Sequence, residues 1–254
     1  PITFLPWDEN QFILQSQRDG YNHLYVFETG KDGELTHRQL TSGEWIVKSI
    51  VGFNEKAKEV IIMSTEISPL QSNAYAVNVK NGKRQLIGAD EGTHRIQLSG
   101  SGKYVIDNYT AHNVARNISV LATSGKGKEI NLLTAEHPME AYNVPEITLG
   151  TIKAADGKTD LYYRLVKPVN FDASKKYPAV IYVYGGPHAQ NITDTYNYGV
   201  RGWDLYMAQK GYVMLTVDNR GSSNRGLEFE NVTHRQLGVE EMKDQMKGVE
   251  LLKS

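Results

Sequence analysis

Ala179-Val180-Ile181-Tyr182-Val183-Tyr184-Gly185-Gly186-Pro187 is the stretch on which the fold turns. An unbroken apolar and aromatic run, with no alternation, has the pattern of a strand covered on both faces in a parallel sheet. A helical segment over 201–210 follows, stopped by Gly211, and Tyr212-Val213-Met214-Leu215-Thr216-Val217 is a second strand of the same kind. A helix over 239–253 is expected next, with Met242, Met246, Val249 and Leu252 or Lys253 near one face. Strand, helix, strand, helix in this order specifies an α/β domain with a parallel sheet. Upstream, 146–153 and 160–166 are expected to pair across Asp156-Gly157, and 168–178 to form a polar connection. The α/β domain is therefore placed at 143–254.

Before residue 143 the pattern is different. Three segments align: His23–Phe27 leading to Arg38-Gln39-Leu40-Thr41, Asn73–Val77 leading to Arg84-Gln85-Leu86-Ile87, and Asn117–Leu121 leading to Ile130-Asn131-Leu132-Leu133. Leu40, Ile87 and Leu133 stand 47 and 46 positions apart. Turn signals at Asp19-Gly20, Asp32-Gly33, Asn81-Gly82 and Gly125-Lys126-Gly127 break the chain into short strands. Four short strands per period of about 40–50 residues is the pattern of a β-propeller blade. An antiparallel sandwich has similar strands and turns, but three periods in fixed register favour about three blades over 1–142. Propellers typically close with about 4–8 blades. The chain also stops within a helical pattern at Ser254, so both ends are expected to be cuts in a longer protein.

Composition removes several function classes. The 254 residues carry 28 Lys and Arg against 29 Asp and Glu, without the basic excess of a nucleic-acid binder. No cysteine occurs, which excludes disulfides, thiolate metal sites and a cysteine nucleophile. No apolar run of about 18 residues is present, so no transmembrane segment is expected. The seven histidines lack metal-ligand spacing, and neither metal nor cofactor is expected.

In open α/β sheets, function gathers beyond the carboxyl ends of the strands. One such end is Tyr184-Gly185-Gly186-Pro187-His188, where two glycines let the backbone approach a ligand without Cβ hindrance. In α/β-hydrolases the loop after the third strand supplies an oxyanion-hole donor. The Tyr184 hydroxyl or a neighbouring N–H suits that role; the alternative is a structural turn beside a core tyrosine. The other end, Asp218-Asn219-Arg220-Gly221-Ser222-Ser223-Asn224-Arg225-Gly226, is expected to be structural, its arginines bridging segments through forked hydrogen bonds. Ser222 and Ser223 are poor nucleophile candidates, because no Gly-x-Ser-x-Gly occurs in the chain. His188 is expected at the surface, and Tyr196, Tyr198 and Trp203 in core packing. Asn108, Asn117, Asn191 and Asn231 begin Asn-x-Ser/Thr triplets, which matter only in a secreted eukaryotic chain.

Blades followed by a hydrolase-like domain with Val183-Tyr184-Gly185-Gly186-Pro187 and Asp218-Asn219-Arg220-Gly221-Ser222 resemble the dipeptidyl peptidase IV branch of the prolyl oligopeptidase family of serine peptidases. Gly20-Tyr21-Asn22-His23-Leu24 is similar to that branch's blade motif, and Gly43-Glu44-Trp45-Ile46-Val47 to its Gly-x-Trp-x-Val strand. Lys175-Lys176-Tyr177-Pro178 and Arg235-x-Leu237-Gly238 with Glu240–Gln245 are similar to the approaches to its third strand and its nucleophile helix. The resemblance covers essentially the whole chain. It implies antiparallel propeller blades followed by an incomplete α/β-hydrolase domain, cut before the nucleophile elbow. It assigns Tyr184 to the oxyanion hole, with Gly185, Gly186 and Pro187 as its loop.

The resemblance also implies release of N-terminal dipeptides, or tripeptides in some bacterial relatives, often after Pro or Ala. The serine, aspartate and histidine of the family are expected beyond Ser254, and the acidic residues that hold the substrate's amino terminus before Pro1. The chain alone is therefore expected to be inactive. Peptide substrates, self-association as a homodimer, and a bacterial periplasmic or envelope location complete the expectation. Alternatives are a non-catalytic propeller and hydrolase-like binding module, or an acylaminoacyl peptidase or esterase of the same fold.

Overall fold

The structure, a computed structural model, describes residues 2–254. The chain forms two compact units. The first holds the residues up to Thr110 together with Arg116–Thr134 and Asn224–Leu227; the second holds Ala111–Ala115, Ala135–Ser223 and Glu228–Ser254.

Three four-stranded antiparallel sheets open the chain. The first runs β1 (Ile2–Leu5), β2 (Asp8–Ser16), β3 (His23–Thr29) and β4 (Leu35–Gln39). The second is β5 (Val47–Asn54), β6 (Glu59–Ser64), β7 (Asn73–Asn78) and β8 (Arg84–Ile87), and the third β9 (Thr93–Leu98), β10 (Tyr104–Ala111), β11 (Val114–Ala122) and β12 (Ile130–Thr134). These are the three blades read from the repeat. The aligned segments fall on the third and fourth strands of each, so the period marks one strand position in successive blades. Leu40 and Ile87 are buried, whereas Leu133 is 44% exposed on the edge strand β12. The first two blades share a core of Ile13, Leu24 and Val26 against Val60, Ile62 and Val77. Gly43–Val47 is not a strand until Val47; the preceding turn seats Trp45 edge-on against the buried His23 ring, 4.7 Å between centroids.

The fourth sheet is mixed. It comprises β13 (Ile147–Lys153), β14 (Asp160–Val166), β15 (Ala179–Tyr182) and β16 (Val213–Val217), in the order β13-β14-β16-β15. β13 and β14 pair antiparallel, as expected, and so do β14 and β16; β15 and β16 are parallel. The helices are α1 (Gly202–Gln209), α2 (Leu227–Asn231) and α3 (Glu240–Lys253). Alternate residues of β16 face opposite layers: Met214 packs with Leu205 and Ala208 of α1, while Leu215 and Val217 pack with Phe229 and, further along, Leu251 and Leu252 of α3. This is an α/β layer arrangement over a sheet whose centre is apolar on both sides.

Three expectations need correction. The 179–184 run is not covered on both faces: its strand ends at Tyr182 and is only half-buried, because β15 is the edge of the sheet while β16 is interior and fully buried. The face of α3 turned inward is not the methionine face. Glu241, Asp244, Gln245 and Gly248 are buried, and Met242 and Met246 are 60% and 48% exposed. Trp203 does not join the core either; it is 58% exposed on α1, beside Tyr206.

Candidate active site

Because β15 and β16 are parallel, their carboxyl ends lie on the same side of the sheet, and the two loops that leave them meet there. Tyr184-Gly185-Gly186-Pro187 follows β15, with Gly185 at φ +68°, where glycine carries no Cβ penalty. A Cβ on Gly186 would stand 2.7 Å from the Tyr184 ring, so a side chain there would displace the tyrosine. Tyr184 is 63% exposed. With its loop, and with Gly238, Glu241, Met242 and Gln245 opposite, it lines a cavity of about 400 Å³. The Glu241 carboxylate is occupied in holding the Gly238 N–H at 2.9 Å. Gln245 donates to Val217 O at 3.0 Å and to Asn219 Oδ1 at 2.9 Å, which leaves its buried Oε1 without a partner.

The loop after β16 is a fastening, as the sequence suggested. Arg220 is 7% exposed and grips fully buried Asp244 with a two-point fork, Nε to Oδ2 and Nη2 to Oδ1, both at 2.9 Å. Nη2 also reaches Glu240 Oε2 at 2.9 Å, and Nη1 lies 3.4 Å from Asp156 Oδ2. Hydrogen bonding to Asp244 raises the Arg220 pKa above its ordinary value, against the effect of burial.

Asp218 staples the two loops: its Oδ1 accepts the Asn191 N–H at 2.9 Å and Asn191 Nδ2 at 3.1 Å, and Oδ2 accepts the Ile192 N–H at 3.0 Å. Burial pushes the Asp218 carboxyl up, opposed by those bonds. With both oxygens so engaged, Asp218 serves as a clamp rather than a proton acceptor for a ligand. Ser222 is buried within the same loop, its N–H bonded to Asn219 O.

His188 is a surface imidazole, 73% exposed in its side chain and 3.5 Å from Glu230. Its backbone matters more, because its N–H donates to Gly221 O at 3.0 Å. Tyr196 meets the His137 ring through its hydroxyl, and Tyr198 stacks on His112 at 5.1 Å. Among the described residues no group of three or more His, Asp or Glu is placed to hold a metal ion, and no helix is long and apolar enough to cross a membrane.

The polar residues of α3 were missed as contributors. Their signal was present: Glu240 and Asp244 stand four residues apart, on one face of a helix, downstream of an arginine-bearing loop, and both pair with Arg220.

Comparison with known proteins agrees with this architecture. Residues 1–116 match the model of the dipeptidyl peptidase IV N-terminal region, and residues 198–254 that of the prolyl oligopeptidase family. A crystal structure described as a dipeptidyl aminopeptidase IV from Bacteroides ovatus superposes with a TM-score of 0.90 at 53% identity, over 100% of this chain and 38% of that one. Porphyromonas gingivalis dipeptidyl peptidase 4 gives a TM-score of 0.86 at 31% identity, over 98% of this chain and 34% of that one. Human dipeptidyl peptidase 8 is 33% identical over 282 residues, 97% of this chain and 31% of its own length. The chain belongs to the prolyl oligopeptidase family. Within it, the chain falls in the dipeptidyl peptidase IV branch, as propeller blades leading into the start of an α/β-hydrolase domain. It spans about a third of the length of these relatives.

Proposed function

We propose that this chain is part of a serine exopeptidase that releases dipeptides or tripeptides from the amino terminus of peptides, often after Pro or Ala. The observation that carries this is the placement of Tyr184 on a glycine loop at the carboxyl end of β15, lining a cavity whose opposite side is formed by Gly238, Glu241, Met242 and Gln245. In the full-length parent a serine attacks the scissile carbonyl, and the Tyr184 hydroxyl donates to the oxyanion that develops. Gly185, Gly186 and Pro187 set the approach of the backbone.

The proposed division is blades to residue 142 and hydrolase domain from 143. The 254-residue stretch alone, which has no Gly-x-Ser-x-Gly, is inactive. A bacterial periplasmic or envelope location is part of the proposal, and the likeness to the Bacteroides ovatus protein supports its bacterial part. In the 254-residue stretch taken by itself, the edge of β15 favours self-association.

Tyr184→Phe in the full-length parent tests the assignment. Loss of one preorganised donor should lower kcat by about 100–1,000-fold with little change in KM. An unaltered kcat on a Gly-Pro chromogenic substrate refutes it. Release of the chromophore by the purified 254-residue chain would refute its inactivity.

A further inference from the structure

We infer that Arg220 is a positioning residue for the Tyr184 loop, acting through the backbone carbonyl of Gly221. The inference rests on the oxyanion role of Tyr184 and adds a source for that loop's geometry, which lies outside the loop itself.

Around Gly221 the backbone is pinned at successive atoms. The Arg220 N–H donates to Asp244 Oδ2 at 3.0 Å, and Asn219 Nδ2 donates to Arg220 O at 2.7 Å. The Gly221 N–H donates to Phe229 O at 2.8 Å. Gly221 itself stands at φ +98°, and a Cβ there would meet Thr233 Cγ2 at 2.5 Å, so the carbonyl direction depends on glycine. That carbonyl accepts the His188 N–H at 3.0 Å, and the Ala189 N–H turns back to Gly186 O at 3.3 Å. The exit of the Tyr184 loop is thus tied to a carbonyl whose position Arg220 and Asp244 determine.

Asp244 makes the anchor stiff. It is fully buried, and it accepts the Ala155 N–H at 2.9 Å in addition to three bonds from Arg220. Its carboxylate therefore joins the β13–β14 turn, α3 and the loop after β16. A charge-assisted, two-point fork also fixes direction, which a single ammonium contact does not. The coupling runs through backbone atoms, since the His188 side chain is mostly in solvent.

The test is a double-mutant cycle in the full-length peptidase. Arg220→Lys keeps the charge and removes the fork. It should lower kcat by about 10–100-fold, the range expected for misplacement of about 1 Å, with KM changed less than about twofold. In a Tyr184→Phe background the same change should cost less than about threefold, because no hydroxyl remains to be misplaced. Equal losses in both backgrounds, or an unchanged kcat, overturn the inference while leaving the oxyanion role intact. A silent Tyr184→Phe overturns the oxyanion role and the inference together.

Asp244→Asn, which keeps the shape and removes the charge, is the second variant should Arg220→Lys not fold. In either folded variant, amide exchange over 184–190 should quicken while exchange in β16 does not. Unchanged exchange over 184–190 overturns the inference.

Discussion

Removing Asp204 should be among the most damaging single changes in the second unit. Arg164 and Asp204 each keep only 2% of their side-chain surface exposed, with Nη2 and Oδ2 3.6 Å apart. At an effective dielectric of about 20, unit charges at that separation attract by about 5 kcal/mol. Arg164 has some other support. Its Nη1 donates to Tyr198 O at 2.7 Å and Asn191 O at 3.2 Å, and Nη2 to Thr216 Oγ1 at 3.4 Å, while Nε is buried without a partner. Burial already draws the Arg164 pKa below its ordinary value, with Asp204 the foremost opposing charge.

Asp204→Ala therefore leaves the buried Arg164 with Asp218 as its remaining counter-charge and frees Arg201, which forks onto Asp204 at 2.6 and 3.2 Å. Removing one partner of a buried pair costs about 3–5 kcal/mol. At about 2–4 °C per kcal/mol, the melting temperature should fall by about 6–20 °C. The exposed pair Lys153–Asp160 supplies the control. It is shorter, at 2.7 Å, but its side chains are 58% and 53% exposed. Solvent screening limits Asp160→Ala to less than about 1 kcal/mol. Thermal melts by circular dichroism, with amide exchange in β14 and β16 to locate the loss, would check both. The reasoning fails if Asp204→Ala lies within about 0.5 kcal/mol of the parent, or if Asp160→Ala costs as much.

Two further outcomes are expected. The Asp156 carboxyl is drawn down to about 2, chiefly by the Thr159 hydroxyl and then by the amides of Lys158 and Thr159. Its folded value lies below the unfolded value of about 3.9, so its contribution is complete above about pH 4 and is lost as pH falls towards 2. Urea midpoints should drop across that window, and Asp156→Asn should flatten the drop; an equally steep fall in the variant would contradict this. Leu161 is fully buried on β14, whereas Leu133 is 44% exposed. Leu161→Ala should cost about 2–5 kcal/mol and Leu133→Ala less than about 0.5 kcal/mol, compared by urea denaturation.

The sequence by itself determined the blades, because hairpin turns and a repeat near 46 residues are local signals. Asp19-Gly20, Asn81-Gly82 and Asp156-Gly157 fall between the strands they were expected to join. It also marked Tyr184–Pro187 as the candidate loop and Arg220 as a fork, since those rest on residue type at a strand end. Only the tertiary structure decided burial. An apolar run is the same in sequence whether its strand is interior or at an edge, so 179–184 and 213–217 looked alike until strand order separated them. The methionines of α3 suggested an apolar inner face, yet the inner face follows partners elsewhere in the chain. Arg220, Ala155 and Asn219 draw Asp244 and Gln245 inward, and the link from His188 N–H to Gly221 O arises the same way. Periodicity records spacing along the chain, whereas these contacts join residues far apart in it, and only packing brings them to hydrogen-bonding distance.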